Sequence, residues 1–275
     1  MKQNKIAILS LSGGLDSTCL LMRLLSEGYK KIFCVSFNYG QKHSIELEKA
    51  KSNIDYIYRM GKGGFAEECI LHHQIVDLSS LMSTFNSSLT SKELEVPEGH
   101  YEQENMKSTV VPNRNAIFSS MIFGLALSKS KEFDCDVDIC LGIHAGDHAI
   151  YPDCTPQFRD SIEKAFKIGN WDSERVNYYT PYIDGNKTTI LKDALITCYS
   201  LGLDFDIVLG NTITSYNPDS QGRSSGKSGS DIERIEAFIN IDRKDPIEYQ
   251  QPWPIIKKQT LQILKQNAEK QTHLN

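Results

Sequence analysis

Apolar residues along the chain fall in short runs that alternate with amphipathic segments. Lys5 to Leu11 is an apolar run ending in Ser-Gly-Gly. Asp16 to Ser26 then repeats Cys19, Leu20, Met22, Leu24 and Leu25 at helical spacing, with a stop at Gly28. Ile32 to Phe37 (IFCVSF) reads as a second strand. Ser44 to Asn53, carrying Glu46, Glu48, Lys49 and Lys51, reads as a second helix. Strand, glycine-rich turn, helix and strand in that order predict a right-handed crossover and a parallel sheet. Short segments follow at Tyr56 to Met60 and Gln74 to Leu78. The polar stretch Leu89 to Val110, with Pro97 and Gly99, reads as a long functional loop. The pattern then predicts a helix over Asn115 to Ser130, a buried strand over Val137 to Ile143 and an amphipathic helix over Pro156 to Ile168. A helix over Thr188 to Leu201, stopping at Gly202, precedes a last strand over Phe205 to Leu209. No repeat or linker divides residues 1–275, so one α/β domain is expected.

Asn217 to Asp231 has the composition of a Gly/Ser linker, but the helical run ERIEAF follows at once, which favours an ordered loop. In the tail, residues 251–275, Trp253, Ile255, Ile256, Leu261 and Leu264 suit an amphipathic helix for packing or an interface.

The 275 residues are 40% hydrophobic and 24% charged, which excludes disorder, collagen and a coiled coil for the bulk of the chain. A net charge of −5 argues against a broad nucleic-acid footprint, yet leaves room for a small basic phosphate pocket. The seven cysteines are scattered, odd in number and free of any C-x-x-C pair. They read as reduced, mostly buried thiols of a cytoplasmic protein. The longest apolar stretch, Ala116 to Leu127, is interrupted by Ser119, Ser120 and Gly124. It falls short of the roughly 20 residues that span a bilayer, so no membrane is expected. Lys2 and Lys5 before an apolar run faintly mimic a signal peptide. A small-residue cleavage site is missing, and Asp16 follows.

Ser12-Gly13-Gly14-Leu15-Asp16-Ser17, between strand and helix, is the strongest local signal. Glycines admit phosphates close to the backbone, and the exposed N–H groups and dipole of a helix start favour an anion. Ser12 and Ser17 would add hydroxyl donors, and Asp16 could cap the helix or approach a phosphate-bound Mg²⁺. The spacing is neither the Walker pattern nor the G-x-G-x-x-G dinucleotide turn. The plain alternative is a capped strand-to-helix turn. Elsewhere, the Arg114 fork suits a carboxylate or phosphate, or a surface ion pair. Lys187, at a helix start, either neutralises pyrophosphate or is solvated. Asp147 and Asp153 hold Mg²⁺, read amino and amide edges, or serve turns. His144 and His148 flank Asp147 but follow a strand, where a four-residue spacing does not put them on one face, so a metal there is disfavoured. His72 and His73 read as surface or core.

SGGLDS resembles the loop of the ATP pyrophosphatases, which split ATP between the α and β phosphates and adenylate a substrate oxygen. Further motifs narrow the resemblance. Phe37-Asn38-Tyr39-Gly40-Gln41-Lys42-His43, with Glu46, Leu47 and Ala50, looks like an element of the 7-cyano-7-deazaguanine synthases, the QueC family. Val110-Val111-Pro112-Asn113-Arg114-Asn115 with Phe118, then Gly142 to Asp147, Tyr151-Pro152-Asp153-Cys154 and Phe158, are similar to later elements of that family. Thr180-Pro181 with Lys187, and Asp245-Pro246 with Tyr249, continue in family order. The resemblance implies a Rossmann-like sheet of the adenine nucleotide hydrolase type, with helices on both faces and a small C-terminal helical and loop region. It also implies ATP and Mg²⁺ as cofactors, 7-carboxy-7-deazaguanine and ammonia as substrates, a homodimer, and no direct contact with nucleic acid. By the same resemblance Arg114, Lys187, Asp147 and Asp153 are candidate catalytic residues. Ser12, Gly13, Gly14, Leu15, Asp16, Ser17, Tyr39, Gln41 and His43 are candidate nucleotide-binding ones.

The chain departs from the family in one place. The resemblance implies a four-cysteine zinc site within residues 211–238, and the aligned positions hold Ser215, Ser225, Ser228 and Asp231, while the flanking Thr212, Arg234, Ala237 and Phe238 match. Hydroxyls are poor zinc ligands beside thiolates, so zinc is expected to be absent. Hydrogen bonds among Ser215, Ser225 and Ser228, or a partner protein, would take its place. Three functions stay open: nitrile synthesis, a ligase that stops at the amide or passes the activated deazaguanine to another amine, and a non-catalytic nucleotide-binding subunit. The intact loop, Arg114, Asp153 and Lys187 disfavour the last.

Overall fold

The computed structural model describes residues 6–41, 45–60, 69–85, 87, 110–147, 151–215 and 218–274. Lys5, Ser44, His43, His148, Tyr216 and all of the polar stretch but Val110 lie outside the described residues.

Five strands form one parallel sheet: β1 (Ile6–Ser10), β2 (Lys31–Asn38), β3 (Ile70–Asp77), β4 (Val137–Cys140) and β5 (Val176–Tyr179), in the order β3-β2-β1-β4-β5. Side chains of a strand alternate between faces. On β1, Ala7 and Leu9 join one core and Ile6 and Ile8 the other. The first core is covered by α1 (Leu15–Ser26), α2 (Ile45–Met60), α6 (Lys187–Ser200), α7 (Phe205–Gly210) and α8 (Gly229–Asn240). The second is covered by α4 (Arg114–Phe133), through Ile122, Phe123 and Ala126, and by Phe166 of α5 (Pro156–Gly169). This is the Rossmann-like arrangement that the sequence implies, with both sheet faces buried, as parallel strands require. A short α3 (Ser79–Met82) follows β3, and α9 (Trp253–Leu274) ends the described chain. Among the described residues no helix is long and apolar enough to cross a membrane. None of the seven cysteines forms a disulfide, and all but the half-buried Cys135 are buried.

The structure corrects four sequence expectations. Tyr56 to Met60 is the last turn and more of α2, because Ala50, Ile54 and Ile57 keep one buried helical stripe past Asn53. The segment Phe205 to Leu209 is helical, not a strand. The Asp204 carboxylate accepts from the backbone N–H groups of Asp206 and Ile207, at 2.8 and 3.1 Å, and so starts α7. The strand β4 stops at Cys140. A Cβ on Gly142 would lie 3.0 Å from the Asp16 carbonyl carbon, so the chain leaves the sheet there to pack on the first turn of α1. β5 is too short, and too exposed beyond Val176, to show as an apolar run. On α9, Ile256 is buried and Trp253 packs on the first core, but Ile255 and Leu261 are exposed, so the buried stripe is narrower than expected.

One charged pair lies entirely inside. The Arg234 guanidinium bonds both carboxylate oxygens of Asp245, at 2.6 and 2.9 Å. Its other N–H groups reach Thr212 Oγ1, Thr214 Oγ1 and the Leu209 carbonyl. All five arginine donors are thereby used. The fork draws the segment Thr212–Ser215 across the end of β1, where Ile213 N donates to Gly13 O at 3.2 Å.

Gly13 has φ of 85°, and a Cβ on it would lie 1.9 Å from the Glu46 carbonyl oxygen. Gly13→Ala should therefore lower stability by about 2 kcal/mol or more. Urea denaturation of the purified variant reads this, and a midpoint equal to that of the parent chain would contradict the packing described.

Candidate active site

The loop after β1 is built by its own serines. Ser12 N donates to Ser17 Oγ at 3.2 Å, the two hydroxyls meet at 3.0 Å, and Gly14 N donates to Ser12 Oγ at 3.1 Å. Ser17 Oγ is also within reach of Gly14 O. The hydroxyls expected to serve as anion donors thus hold the loop open as well as line it.

A cavity of about 250 Å³ lies over this loop. Leu15 and Asp16 of α1, Glu46 of α2, Arg114 and Asn115 of α4, Lys187 of α6 and Ser230 of α8 all line it. Each of these residues belongs to the first turn of its helix. Five helix N-termini converge on one space, each equivalent to roughly half a positive charge. A second cavity, of about 220 Å³, shares Ser10, Ser12, Asp16, Arg114, Asn115 and Phe118 with the first. Its remaining wall is largely apolar, with Ile122, Leu141, Ile143, Phe158 and Ile162, and carries Asp153, Arg159 and Tyr178. Both open at the carboxyl ends of β1 and β4, where the strand order reverses and open α/β sheets bind ligands.

Lys187 is buried, and Asn186 caps its helix by accepting from Thr189 N. Its Nζ stands 3.2 Å from Asp16 Oδ2, 3.3 Å from Glu233 Oε2 and 2.7 Å from His144 Nε2. Burial alone would raise the Asp16 carboxyl, but Lys187 and His144 outweigh it and hold the group below its ordinary range. Asp16 Oδ1 is buried without a hydrogen-bond partner among the described residues, and so is Asp153 Oδ1 in the second cavity. The Arg114 guanidinium lies 5.4 Å from the Tyr39 ring centre, and its Nε donates to Asn115 Oδ1 at 3.3 Å.

The candidates Ser12, Gly14, Leu15, Asp16, Ser17, Tyr39, Arg114, Asp153 and Lys187 therefore gather around the paired cavities. Gln41 does not line them. Its amide is spent on Tyr39 N, the Phe37 carbonyl and Glu46 Oε1, so it shapes the turn instead. Gly13 contributes backbone to the loop, and Asp147 closes the turn Ala145–Asp147. His43 is outside the described residues. Sequence reasoning passed over Glu46 and Glu233 as site residues, and weighed His144 only as a disfavoured metal ligand. Glu46 stood inside a quoted motif, whereas His144 and Glu233 meet Lys187 only through the fold. Burial pushes the Glu46 carboxyl up to about 7, against the smaller opposing effects of Gln41 and Arg114.

The family model described as Queuosine biosynthesis protein QueC matches residues 6–242. The chain belongs to the QueC family. It is 42% identical over 244 residues to a 7-cyano-7-deazaguanine synthase of Hahella chejuensis, covering 89% of this chain and 93% of that one. It is 40% identical over 245 residues to the 7-cyano-7-deazaguanine synthase of a Marinomonas species, covering 89% and 98%. Against that of Caldicellulosiruptor saccharolyticus it is 38% identical over 244 residues, covering 89% and 95%.

Where the resemblance to the QueC family implies zinc, this chain has a hydroxyl–carboxylate knot. Asp231 is fully buried. Ser224 Oγ donates to its Oδ1 at 2.6 Å, and Ser215 Oγ and Ser228 N donate to its Oδ2 at 3.2 and 3.3 Å. Ser228 Oγ accepts from Asp231 N in return, which makes a capping box for α8. The expected partner Ser225 is replaced here by its neighbour Ser224, whose side chain points inward, while Ser225 caps Lys227 N. One carboxylate and neutral hydroxyls already bonded to it do not fit a tetrathiolate metal. Among the described residues no group of three or more His, Cys, Asp or Glu could hold a metal ion.

Burial raises the Asp231 carboxyl above its ordinary value, against the hydrogen bonds that favour its charge. A raised native pKa adds stability below the unfolded value and loses it as pH rises through the native one. Asp231→Ala should cost about 2–4 kcal/mol by stranding the serine donors. Asp231→Asn should cost less and flatten the pH dependence above pH 4. Urea titrations across pH check both, and equal effects of the two substitutions would deny the knot its role.

Proposed function

We propose that this chain is an ATP-dependent carbon–nitrogen ligase that converts 7-carboxy-7-deazaguanine, by way of its amide, into 7-cyano-7-deazaguanine. The observation that carries the reading is the pair of cavities with one shared wall. The polar one, ringed by helix N-termini with Lys187 and Arg114, suits a polyphosphate. The apolar one suits a flat heterocycle.

ATP lies with its β and γ phosphates on the backbone of Ser12 to Ser17, and Lys187 stabilises the departing pyrophosphate. Asp16, with an unpartnered buried oxygen, is the residue that would hold Mg²⁺. When bound, the ion neutralises phosphate charge. In the second cavity Phe118 and Phe158 flank the bicyclic ring, and Asp153 Oδ1 accepts from its N–H edge. Arg114, in the shared wall, orients the substrate carboxylate toward the α-phosphate. The carboxylate oxygen attacks that phosphorus, and ammonia then displaces AMP. A second ATP activates the amide oxygen, and loss of AMP leaves the nitrile. At the position where the resemblance implies zinc, Asp231 is bonded by Ser215, Ser224 and Ser228, a set that does not suit that ion. That substitution also favours a second reading, in which the ligase stops at the amide or delivers the activated deazaguanine to an amine of a partner protein.

Pyrophosphate release should require ATP and the deazaguanine acid together, and mass spectrometry should find the nitrile. The amide alone, or a protein adduct, selects the second reading. Lys187→Met should lower kcat by about 10²–10³-fold. A zinc chelator should leave the melting temperature unchanged, and a fall would show that a metal supports the fold after all.

A further inference from the structure

The carboxylate of Glu46 has one oxygen fixed and one free. Its Oε1 accepts from Gln41 Nε2 at 2.8 Å, and Gln41 is itself held by Tyr39 N at 2.8 Å and the Phe37 carbonyl at 3.3 Å. Its Oε2 makes no hydrogen bond among the described residues. The group lines the polar cavity together with Arg114 and Asp16, which also line the apolar one. Among the described residues, the Arg114 cation on α4 and the Tyr39 phenol after β2, which burial keeps neutral, stand beside it, and Asp16 and Lys187 line the same cavity.

The ligase chemistry creates a need that the residues placed so far do not meet. Adenylation moves no proton: the substrate carboxylate bonds to phosphorus and pyrophosphate leaves. The next step does. Ammonia forms a C–N bond to the adenylate carbonyl, the C–O bond to AMP breaks, and the nitrogen must shed one proton. Asp16 is ion-paired to Lys187 and held acidic, so it is a weak base. Asp153 stands in the other cavity.

We propose that Glu46 is the catalytic base of the amide-forming step, its free oxygen taking the proton that ammonia loses beside Arg114. The inference deepens the ligase reading and rests on it. The balance is acyl adenylate, ammonia and the Glu46 carboxylate giving amide, AMP and protonated Glu46, which returns its proton to solvent. A carboxyl poised near neutrality by its buried setting suits this task at neutral pH.

The test separates the two half-reactions in the full-length protein. Exchange of labelled pyrophosphate into ATP, dependent on the deazaguanine acid, reads adenylation. Mass spectrometry with ammonia reads the amide. In Glu46→Gln, amide formation should fall about 10²-fold or more while exchange changes far less. With total ammonia adjusted to keep free NH3 constant, the parent's amidation rate should rise with pH through about 7 and level off, and the substitution should abolish that limb. Equal loss of both half-reactions, or a raised KM for ATP with amidation per adenylate unchanged, would make Glu46 a nucleotide-binding residue and overturn the proposal. Should the variant not fold, a parent profile without a limb near neutrality overturns it alone. A parent chain that shows exchange but a Glu46-independent amide rate sinks this proposal only, whereas absence of exchange sinks the ligase reading beneath it.

Discussion

The closure of the polar cavity depends on one buried guanidinium. A charge taken out of water costs several kcal/mol, and only good geometry with every donor used offsets it. Arg234 meets that condition through Asp245, Thr212, Thr214 and the Leu209 carbonyl. These partners come from the end of α7, from the segment beyond it and from the chain after α8. Fixing them carries Ile213 to the carbonyl of Gly13, and sets the start of α8 at the rim of the polar cavity. Tyr249 adds a further donor to Asp245, at 2.8 Å, and packs against Trp253 at the start of α9. The C-terminal third is thereby bound to the loop at residues 12–17, although among the described residues its own strand pairing is one isolated bridge, Ser224 to Tyr249.

The knot around Asp231 is the second half of that closure. A zinc ion between four thiolates holds chain segments by strong bonds to one centre. Here a carboxylate takes the central place and three donors converge on it, from Ser215, Ser224 and Ser228. Ser230 adds a bond to the Thr214 carbonyl at 2.8 Å. Each such bond contributes only about 1 kcal/mol net, so the arrangement relies on several acting together in a dry interior. Its reward for the site is position: Ser215 and Ser230 belong both to the knot and to the cavity wall.

Electrostatics in the cavity are balanced in the ligand-free chain. Lys187 is shared among Asp16, Glu233 and His144, and a Cβ on Gly146 would collide with the Glu233 carboxylate at 2.6 Å. At the helix starts around the cavity the chain supplies Asp16 on α1, Glu46 on α2 and Asp231 on α8, and Asn186 caps α6. On the proposed reading, a polyphosphate competes with Asp16 and Glu233 for the lysine. Lys187 and His144 keep Asp16 acidic, whereas burial leaves Glu46, farther along the wall beside Arg114, with a carboxyl raised to about 7.

What the sequence determined by itself is local in origin. The run before SGGLDS, the helix after it and the long apolar helix from Arg114 follow from periodicity and turn chemistry, which act over a few residues. Motifs kept in family order were enough to name the family, and the missing cysteines were visible at their aligned positions. What only the tertiary structure decided concerns groups far apart in the chain. Nothing near Phe205 announced that Asp204 would cap a helix rather than lead a strand, because its run is equally apolar in either form. Nothing near position 187 announced Asp16, His144 and Glu233 as its partners, since they arrive on three other elements. Gln41 looked like a ligand residue until the turn absorbed its amide, and Ser224 displaced Ser225 because backbone direction, not spacing, chooses which hydroxyl faces Asp231. Sequence patterns report which faces must be buried, and packing alone decides which polar groups then meet.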